Sequence, residues 1–321
     1  MPVVPHRGSV LIVPLTFGLL ITVSGLVVLT LNHESAAVSV PPSAASRVFP
    51  TFEPLPTLIP TPIPSPTPRP TPTPFPKPTP IPISGPPGTG LTRSTVNTPK
   101  GTFSVTVMAF NLAGTRVITD TGNDDNCGNA CNVYPLANYV SKNGGYAGVN
   151  GSYFCPDTYP DCSGKTNSYD FPVYNTRLGK WINQDKLFWN ERRAIFYVDG
   201  SGAHYLNSSA GFSGGLIAGI VNYPGLLDGG NVQIDDNQSG LSDKQKGVNT
   251  KVGIGVIDPQ HVIVVVAQAV NMQQFAYVFK ALGARGALNL DTGGSTALIY
   301  NGRYLYGPGR NLPNAVIFAN K

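Results

Sequence analysis

The sequence has 321 residues, with 22 Lys and Arg against 17 Asp and Glu, which gives a formal net charge of +5. Residues 1–99 hold five Lys or Arg and two Glu, a net charge of +3, so only +2 remains on residues 100–321. This charge is too small for the electrostatic footprint of a nucleic-acid-binding protein, and we expect no nucleic-acid partner.

The first predicted element is an apolar stretch without charged side chains at residues 10–31. As a helix it would rise about 33 Å, enough to cross the hydrocarbon core of a bilayer. His6 and Arg7 precede it, so the positive-inside rule predicts a cytoplasmic segment at 1–9. We therefore expect a single-pass protein of the cell membrane with its C-terminal domain outside the cytoplasm. A signal peptide cut near 35–37 is the alternative.

Proline dominates the next segment, 32–97. Nineteen of the 31 prolines lie between Pro41 and Pro87, many of them alternating with Thr or Ile. Such a tract favours polyproline II and cannot build a packed core, because proline fixes φ and removes backbone donors. We expect a stalk that holds a folded domain away from the membrane.

Residues 98–321 show short strand patterns separated by Gly, Asn and Asp turns. Apolar or alternating runs predict strands at 103–110, 194–198, 216–221, 252–257 and 262–267. Helical patterns occupy 134–141 and 271–282, the second with Asn271 as N-cap and Gly283 beyond its end. We predict an α+β fold, with one mixed-sheet domain and a few helices.

All four cysteines lie in one short stretch of this domain. An exported location favours disulfides, and we predict the local pairs Cys127–Cys131 and Cys155–Cys162 among the three possible connectivities. A zinc site of four sulfurs is the alternative, although the spacing of the second pair is loose for structural zinc.

Two oxygen-rich segments, 120–126 and 228–237, suggest calcium as a possible ligand of an extracellular protein. Neither segment has the ligand order of an EF-hand loop, so solvated turns are favoured. The sequence predicts no other cofactor and no metal site.

Near the C-terminus, an apolar strand ends at Asp291 and opens into a turn of Gly293, Gly294, Ser295 and Thr296. The end of a strand that follows a helix is a common ligand position in α/β arrangements. The same pattern is also typical of a turn cap, because Asp side chains accept hydrogen bonds from nearby backbone amides. The turn alone does not separate catalysis from capping.

A second polar segment, 150–154, reads Asn-Gly-Ser-Tyr-Phe after a strand of small residues. Asn150 and Ser152 carry groups that could orient a sugar or a phosphate, and the ring of Tyr153 could stack on a sugar. The alternative is an aromatic core residue behind a glycine turn.

Together, these segments resemble the phosphodiester glycosidase family. That family shows Asn-Gly-Gly-Tyr-Phe, a basic residue before an Ile-Gly strand, Leu-Asp-Gly-Gly-Gly-Ser, and an Arg followed by Asn-Ala. The corresponding segments in this chain are 150–154, 251–255, 290–295 and 310–315. The resemblance covers roughly residues 100–321.

The resemblance implies hydrolysis of a sugar C1–O–phosphate bond in a cell-surface or extracellular glycan. It makes Asp291 the nucleophile, base or stabilising carboxylate, with Lys251 and Arg310 on the phosphodiester. Asp228 is our candidate for a second carboxylate. The resemblance also implies that Asn150 is a catalytic residue that supplies an oriented hydrogen bond. The residues implied to bind the substrate, through hydrogen bonds or a nest of backbone amides, are Ser152, Tyr153, Gly293, Gly294, Ser295, Thr296 and Asn314.

Three departures from the family pattern leave a second function open. Ser152 and Thr292 stand where the family has Gly, and Lys251 stands where Arg is usual. Lysine still neutralises phosphate but lacks the bidentate fork of arginine. A non-catalytic carbohydrate- or cell-wall-binding module is therefore the main alternative to a hydrolase.

A serine hydrolase is a third, weaker alternative. Residues 211–215 match the Gly-x-Ser-x-Gly nucleophile elbow around Ser213, and Asp258 and His261 follow. An elbow requires a buried strand before the serine and a helix after it, and the sequence of this segment favours neither.

Overall fold

The computed structural model describes residues 81–83, 85–169, 171–186, 193–237 and 240–321. The predicted membrane span at 10–31 and most of the predicted stalk lie outside these residues. In the part of the chain that is described, no helix is both long and apolar enough to cross a membrane.

The described residues form mainly strands, with a few short helices. In chain order, the strands are β1 (Ile81–Ile83), β2 (Gly90–Thr98), β3 (Gly101–Asn111), β4 (Thr115–Thr121), β5 (Gly145–Asn150), β6 (Val173–Asn175), β7 (Lys180–Ile182), β8 (Ala194–Asp199), β9 (Gly202–Leu206), β10 (Ala218–Asn222), β11 (Gly225–Asp228), β12 (Asn231–Val232), β13 (Asn249–Asp258), β14 (His261–Val270), β15 (Gly286–Asn289), β16 (Leu298–Tyr300), β17 (Arg303–Tyr306) and β18 (Asn314–Asn320). The described α-helices are α1 (Leu136–Lys142), α2 (Asp243–Lys246) and α3 (Met272–Ala281).

These strands form three sheets rather than the single mixed sheet that we expected. Their spatial orders are β1-β2-β3-β14-β13-β15-β11-β12, β7-β6-β10-β8-β9 and β17-β16-β5-β18-β4. Among the described strands only β1 and β2 pair in parallel. The domain is thus mostly β, with a few helices. Sequence periodicity predicted strands but not which of them pair, because pairing depends on contacts between distant segments.

The predicted secondary structure agrees with the observed elements at most positions. The five predicted strands fall within or overlap β3, β8, β10, β13 and β14, and the two predicted helices correspond to α1 and α3. Asn271 caps α3 in a capping box with Gln274, as its position predicted. Strand β2 (Gly90–Thr98) precedes the predicted domain boundary and pairs with β3.

Helix α3 packs directly on β13. A Cβ atom at Gly253 or Gly255 would lie 2.8–3.1 Å from the Phe275 or Phe279 ring, so only glycine allows this approach. The rings are buried with the aliphatic side chains of β14 in the core. This packing supports β13 and its neighbour β15, which leads into the Asp291 turn.

Both predicted disulfides are present. Cys127 is bonded to Cys131, and Cys155 to Cys162. All four cysteines are used, so the zinc alternative is wrong. The second disulfide closes a loop that carries Tyr159.

The carboxylates of the first oxygen-rich segment form ion pairs with side chains of the protein. Asp120 pairs with Lys142 at 3.4 Å, Asp124 with Arg177, and Asp125 with Lys180. The described residues contain no group of three or more His, Cys, Asp or Glu arranged to hold a metal ion. In segment 120–126, where calcium was suggested as a possible ligand, the structure therefore shows carboxylates in salt bridges.

Candidate active site

The Asp291 turn is held by the two elements beside it. The Leu290 amide donates to the Val252 carbonyl on β13 (2.9 Å), and the Asp291 amide donates to the Gly151 carbonyl beyond β5 (2.9 Å). The turn therefore joins the eight-stranded sheet to the β5 sheet. This junction brings together the two polar segments that the sequence singled out.

The Asp291 side chain is largely removed from solvent, with 8% of its surface exposed. Burial raises the pKa of its carboxyl to about 7, although hydrogen bonds from Ser295 and the Thr292 amide and the charge of Arg310 oppose the rise. No carboxylate of the described residues is among the groups that shift this pKa. Asp291 therefore exchanges a proton near neutral pH, as acid–base catalysis requires.

Both polar atoms of the Asn150 side-chain amide form hydrogen bonds with the backbone of the turn. Its Nδ2 donates to the Asp291 carbonyl at 2.7 Å, and its Oδ1 accepts from the Ala297 amide at 3.0 Å. The side chain is completely buried. The structure therefore places this predicted catalytic residue as a clamp on the turn that carries Asp291.

Ser152 and Asn314 form a second buried clamp. Asn314 Oδ1 accepts from the Ser152 amide at 2.8 Å, and Asn314 Nδ2 donates to Ser152 Oγ at 3.0 Å. Gly151 is necessary between them, because a Cβ atom there would lie 1.8 Å from Asn314 Oδ1. The Ser152 hydroxyl thus faces Asn314. The serine that replaces the family glycine therefore makes its contacts inside the protein.

Tyr153 lies beside the carboxylate. Its hydroxyl accepts a hydrogen bond from Asn289 Nδ2 at 2.8 Å. Burial and the neighbouring Asp291 raise the pKa of Tyr153 to about 12, against hydrogen bonds with Gln245, Thr292 and Asn289. Tyr153 therefore stays protonated at neutral pH and keeps a phenolic donor next to Asp291.

The glycine turn brings Arg310 to the site. Gly293 has φ 69°, a left-handed conformation that favours glycine, and the Gly294 carbonyl accepts from the Arg310 amide at 3.1 Å. A Cβ atom at Gly294 would lie 2.6 Å from Arg310 Nη2. Ser295 and Thr296, the last two residues of the turn, are buried. Asp291 and Arg310, which were predicted to act together, are thus close in space.

Two residues that the sequence did not indicate lie near Arg310, namely Tyr159, which contacts it, and Lys244, which contacts Tyr159. Lys244 Nζ lies over the Tyr159 ring, 4.0 Å from the ring centroid. The Arg310 guanidinium carbon lies 5.1 Å from the same centroid. Hydrogen bonding to Arg310 is the main cause that lowers the pKa of Tyr159. In the part of the chain that is described, neither cation forms a salt bridge. The two positive charges remain available to an anion.

No sequence pattern marked these two residues as a pair, because they lie 85 positions apart. Tyr159 belongs to the loop closed by Cys155 and Cys162, and Lys244 belongs to α2. The disulfide was predictable, and the capping box of Ser242 with Gln245 marks the start of α2. Neither pattern predicts that the two segments lie close together in the folded protein.

Lys251 does not reach the open surface of the site. Its side chain is completely buried, and its amine donates to the Gly247 carbonyl at 3.1 Å and to Asn249 Oδ1 at 3.0 Å. Burial lowers the pKa of Lys251 to about 8, partly offset by Asp236. Gly247 is the C-cap of α2, so the amine anchors the helix that carries Lys244.

Two further predicted residues lie away from Asp291. Asp228 ends β11, which runs antiparallel to β15 and pairs Leu227 with Ala287. Asp228 is thus beside the start of β15, roughly 17 Å along the strand from Asp291. Our suggestion of Asp228 as the second carboxylate is therefore wrong. The structure also contradicts a nucleophile elbow at Ser213, because strand β10 follows this exposed serine in place of a helix.

A comparison with family models decides the relationship. The model that describes phosphodiester glycosidases matches residues 143–319, more than half of the chain. The chain belongs to the phosphodiester glycosidase family. All four segments that suggested the resemblance lie inside the matched range, and the family is one of hydrolases.

Solved structures of similar fold extend the comparison. The zebrafish N-acetylglucosamine-1-phosphodiester alpha-N-acetylglucosaminidase catalytic domain, auto-inhibited by its pro-peptide, is 16% identical. The match covers 72% of this chain and 83% of that one, with a TM-score of 0.54, which supports the fold.

A hypothetical protein from Synechocystis is 15% identical, with a TM-score of 0.47. The match covers 72% of this chain but spans only 62% of the length of that protein. No curated protein sequence matches the chain.

Proposed function

We propose that this protein hydrolyses a sugar-1-phosphodiester, with Asp291 as the carboxylate that acts at the sugar and Arg310 and Lys244 as the cations that hold the phosphate. One observation carries the proposal. A buried carboxylate with a pKa of about 7 lies beside a guanidinium and near an ammonium that form no salt bridge among the described residues.

The arrangement suits cleavage of a glycosyl–phosphate bond. When the C1–O bond breaks, its electron pair stays with the phosphate and positive charge develops on the sugar ring. Arg310 and Lys244 would stabilise the departing phosphate, and the ionised Asp291 would stabilise or attack C1 before water completes the hydrolysis. The phosphate leaves as a stable anion, so a strong general acid is less necessary than in ordinary glycosidases.

The buried polar residues would act by positioning. Asn150 fixes the Asp291 backbone, and Ser152 with Asn314 fixes the strand ends beside it. Lys251 holds the end of α2 and therefore the segment with Lys244 and Gln245. These assignments replace the direct substrate contacts that the family resemblance implied for Asn150 and Lys251.

To test this, the full-length protein is incubated with 1-phosphodiesters of a hexose and of an N-acetylhexosamine. Mass spectrometry then detects the sugar released by hydrolysis. Asp291→Asn should lower kcat at least about 100-fold, since the acting charge is lost while the shape is kept. Asp228→Asn, which removes an exposed carboxylate far from the turn, should keep full activity.

Arg310→Met and Lys244→Met should each raise KM, because each removes a charge that attracts the phosphate. Turnover that survives in Asp291→Asn would remove Asp291 from the mechanism. Binding of these compounds by the wild-type chain without any turnover would support the non-catalytic carbohydrate-binding module instead.

We also propose the setting of the reaction, a cell-surface or extracellular glycan, with the enzyme held at the cell membrane by residues 10–31. The two disulfides support an exported domain, because such bonds persist outside the cytoplasm. Fractionation of cells that express the full-length chain tests this. Recovery in the soluble cytoplasmic fraction would contradict it.

A further inference from the structure

A cavity lies beside helix α1, apart from the Asp291 turn. It has a volume of about 830 Å³, within the range of small-molecule sites. Its walls come from α1, from the segment before α1 that contains Asn132 and Tyr134, and from the chain after β4. We call it the α1 cavity.

The charged residues of the α1 cavity are paired with each other or with a neighbour. Arg177 forms a salt bridge with Asp124, and Lys142 lies 3.4 Å from the buried carboxylate of Asp120. The walls therefore carry no excess of one sign. This balance disfavours a phosphate, a metal ion or a polyanion as the ligand, and favours a neutral one.

The uncharged groups match a molecule with many hydroxyls. The side chains of Asn132, Asn138 and Ser141 line the cavity and form no hydrogen bond with the rest of the described protein. Side-chain amides offer both donors and acceptors, as sugar hydroxyls require. The Tyr134 ring is 41% exposed at the rim, with its neighbour Tyr139 in a T-shaped contact at 6.1 Å. An exposed ring of this kind can pack on the apolar face of a sugar.

Direct contacts between its walls form the cavity in advance. A Cβ atom at Gly122 would lie 2.3 Å from the Asn132 carbonyl, so two walls touch directly. The Asn132 amide donates to Asn123 Oδ1 at 2.8 Å, and the Tyr139 hydroxyl donates to the Leu312 carbonyl at 2.8 Å. Little ordering is therefore required when a ligand enters.

One short segment connects this cavity with the Asp291 turn. Leu312 pairs with Tyr134 at the cavity, and the Pro313 carbonyl accepts from Gly122. The same segment begins at Arg310 and ends at Asn314, both at the candidate active site. Four residue steps span at most about 14 Å, so the α1 cavity lies within the length of a short oligosaccharide from the candidate active site.

We propose that the α1 cavity is a second saccharide-binding site, which holds a neutral sugar unit of the glycan that carries the scissile phosphodiester. The identity of the glycan as substrate rests on the proposed function. The existence of a neutral sugar site rests only on the α1 cavity itself. The substrate class that follows is an oligosaccharide or polysaccharide in place of a single sugar phosphate.

The experiment is ligand-observed saturation-transfer NMR on the full-length chain with three neutral trisaccharides, built from glucose, mannose or N-acetylglucosamine. At least one should bind, and Tyr134→Ala should weaken it about tenfold because the stacking surface is lost. Ser141→Trp, at an exposed position of α1, should abolish binding by filling the cavity. Tyr277→Ala, a tyrosine on α3, is the matched control and should bind as the wild type does.

The outcomes separate this proposal from the proposed function. Asp291→Asn should bind the trisaccharide as tightly as the wild type, whether or not hydrolysis is ever observed. If no phosphodiester is hydrolysed but binding is lost in Tyr134→Ala and Ser141→Trp, the proposed function fails and the sugar site stands. Failure of all three trisaccharides to bind, unchanged affinity in both cavity variants, or loss of binding in Asp291→Asn would overturn the second site.

Discussion

Asp291→Asn should make the protein more stable while it removes activity. The structure buries this carboxyl, and burial raises its pKa from 3.8 to about 7. Ionised Asp291 is therefore a cost to the folded state that a neutral side chain of the same shape avoids. Asparagine keeps an oxygen that can accept from the Thr292 amide, the 2.9 Å bond made by Oδ1.

The size of the effect follows from the two pKa values. Between pH 3.8 and about 7 the folded chain keeps a proton that the unfolded chain has released, so stability falls as pH rises through this window. Below it both states are protonated and no cost exists. Above it the cost reaches its full value, about 4 kcal/mol at most. The amide introduced by Asp291→Asn does not titrate, so the stability advantage of the variant should grow from near zero at pH 4 to this limit at pH 8.

Urea unfolding followed by tryptophan fluorescence measures this advantage, on the full-length wild type and the variant at pH 4 and pH 8. Asp228→Asn serves as the control, because it makes the same chemical change at an exposed position. If Asp291→Asn is no more stable than the wild type at pH 8, or if its advantage is the same at both pH values, the ionised carboxylate carries no burial cost. Asp291 would then lack the perturbed acidity on which its proposed role depends.

The contacts around the site give three more expected outcomes. Gly151→Ala should lower the free energy of unfolding by about 1–3 kcal/mol, measured in urea, because its Cβ would overlap Asn314 Oδ1. Arg310→Gln should move the acidic limb of the kcat/KM profile to higher pH, since it removes a charge that lowers the pKa of Asp291. Lys251→Met should raise KM more than it lowers kcat in steady-state assays, because the end of α2 loses its anchor.

Matched variants keep these predictions specific. Gly215→Ala, where a Cβ meets no atom within 4 Å, should leave stability nearly unchanged. Lys246→Met, an exposed lysine of α2, should leave KM unchanged. Equal destabilisation by both glycine variants, an unmoved acidic limb in Arg310→Gln, or a loss confined to kcat in Lys251→Met would each contradict the contact from which it was derived.

Much of the candidate site was predictable because its pieces are local. The turn from Asp291 to Thr296 needs its glycines for backbone geometry, and the Asn150 segment follows a strand of small residues. Patterns of this kind are visible in the sequence because each depends on a few neighbouring residues. The order of these segments along the chain also indicated the family that the comparison then confirmed.

The differences between expectation and structure have a common physical origin in side-chain direction and strand order. Lys251 matched the family position for a phosphate-binding residue, but the fold turns its amine onto Gly247 and Asn249. Asp228 was a reasonable carboxylate by composition, but antiparallel pairing places it at the other end of β15. Neither outcome is encoded within a few residues of the position concerned.

Short-range features of the chain were enough to predict the polar segments, the disulfide pairs, the long helix α3 and most strands, because hydrophobic period, glycine and cysteine act over short distances. The folded arrangement was needed to show that Arg310 and Lys244, from distant segments, face one tyrosine, Tyr159, and that Arg310 is close enough to Asp291 to act on its pKa. It was also needed to show that the carboxyl is buried, which raises its pKa toward neutrality. Burial and the meeting of charges depend on how three sheets pack together, and that packing is the sum of contacts between residues far apart in the chain.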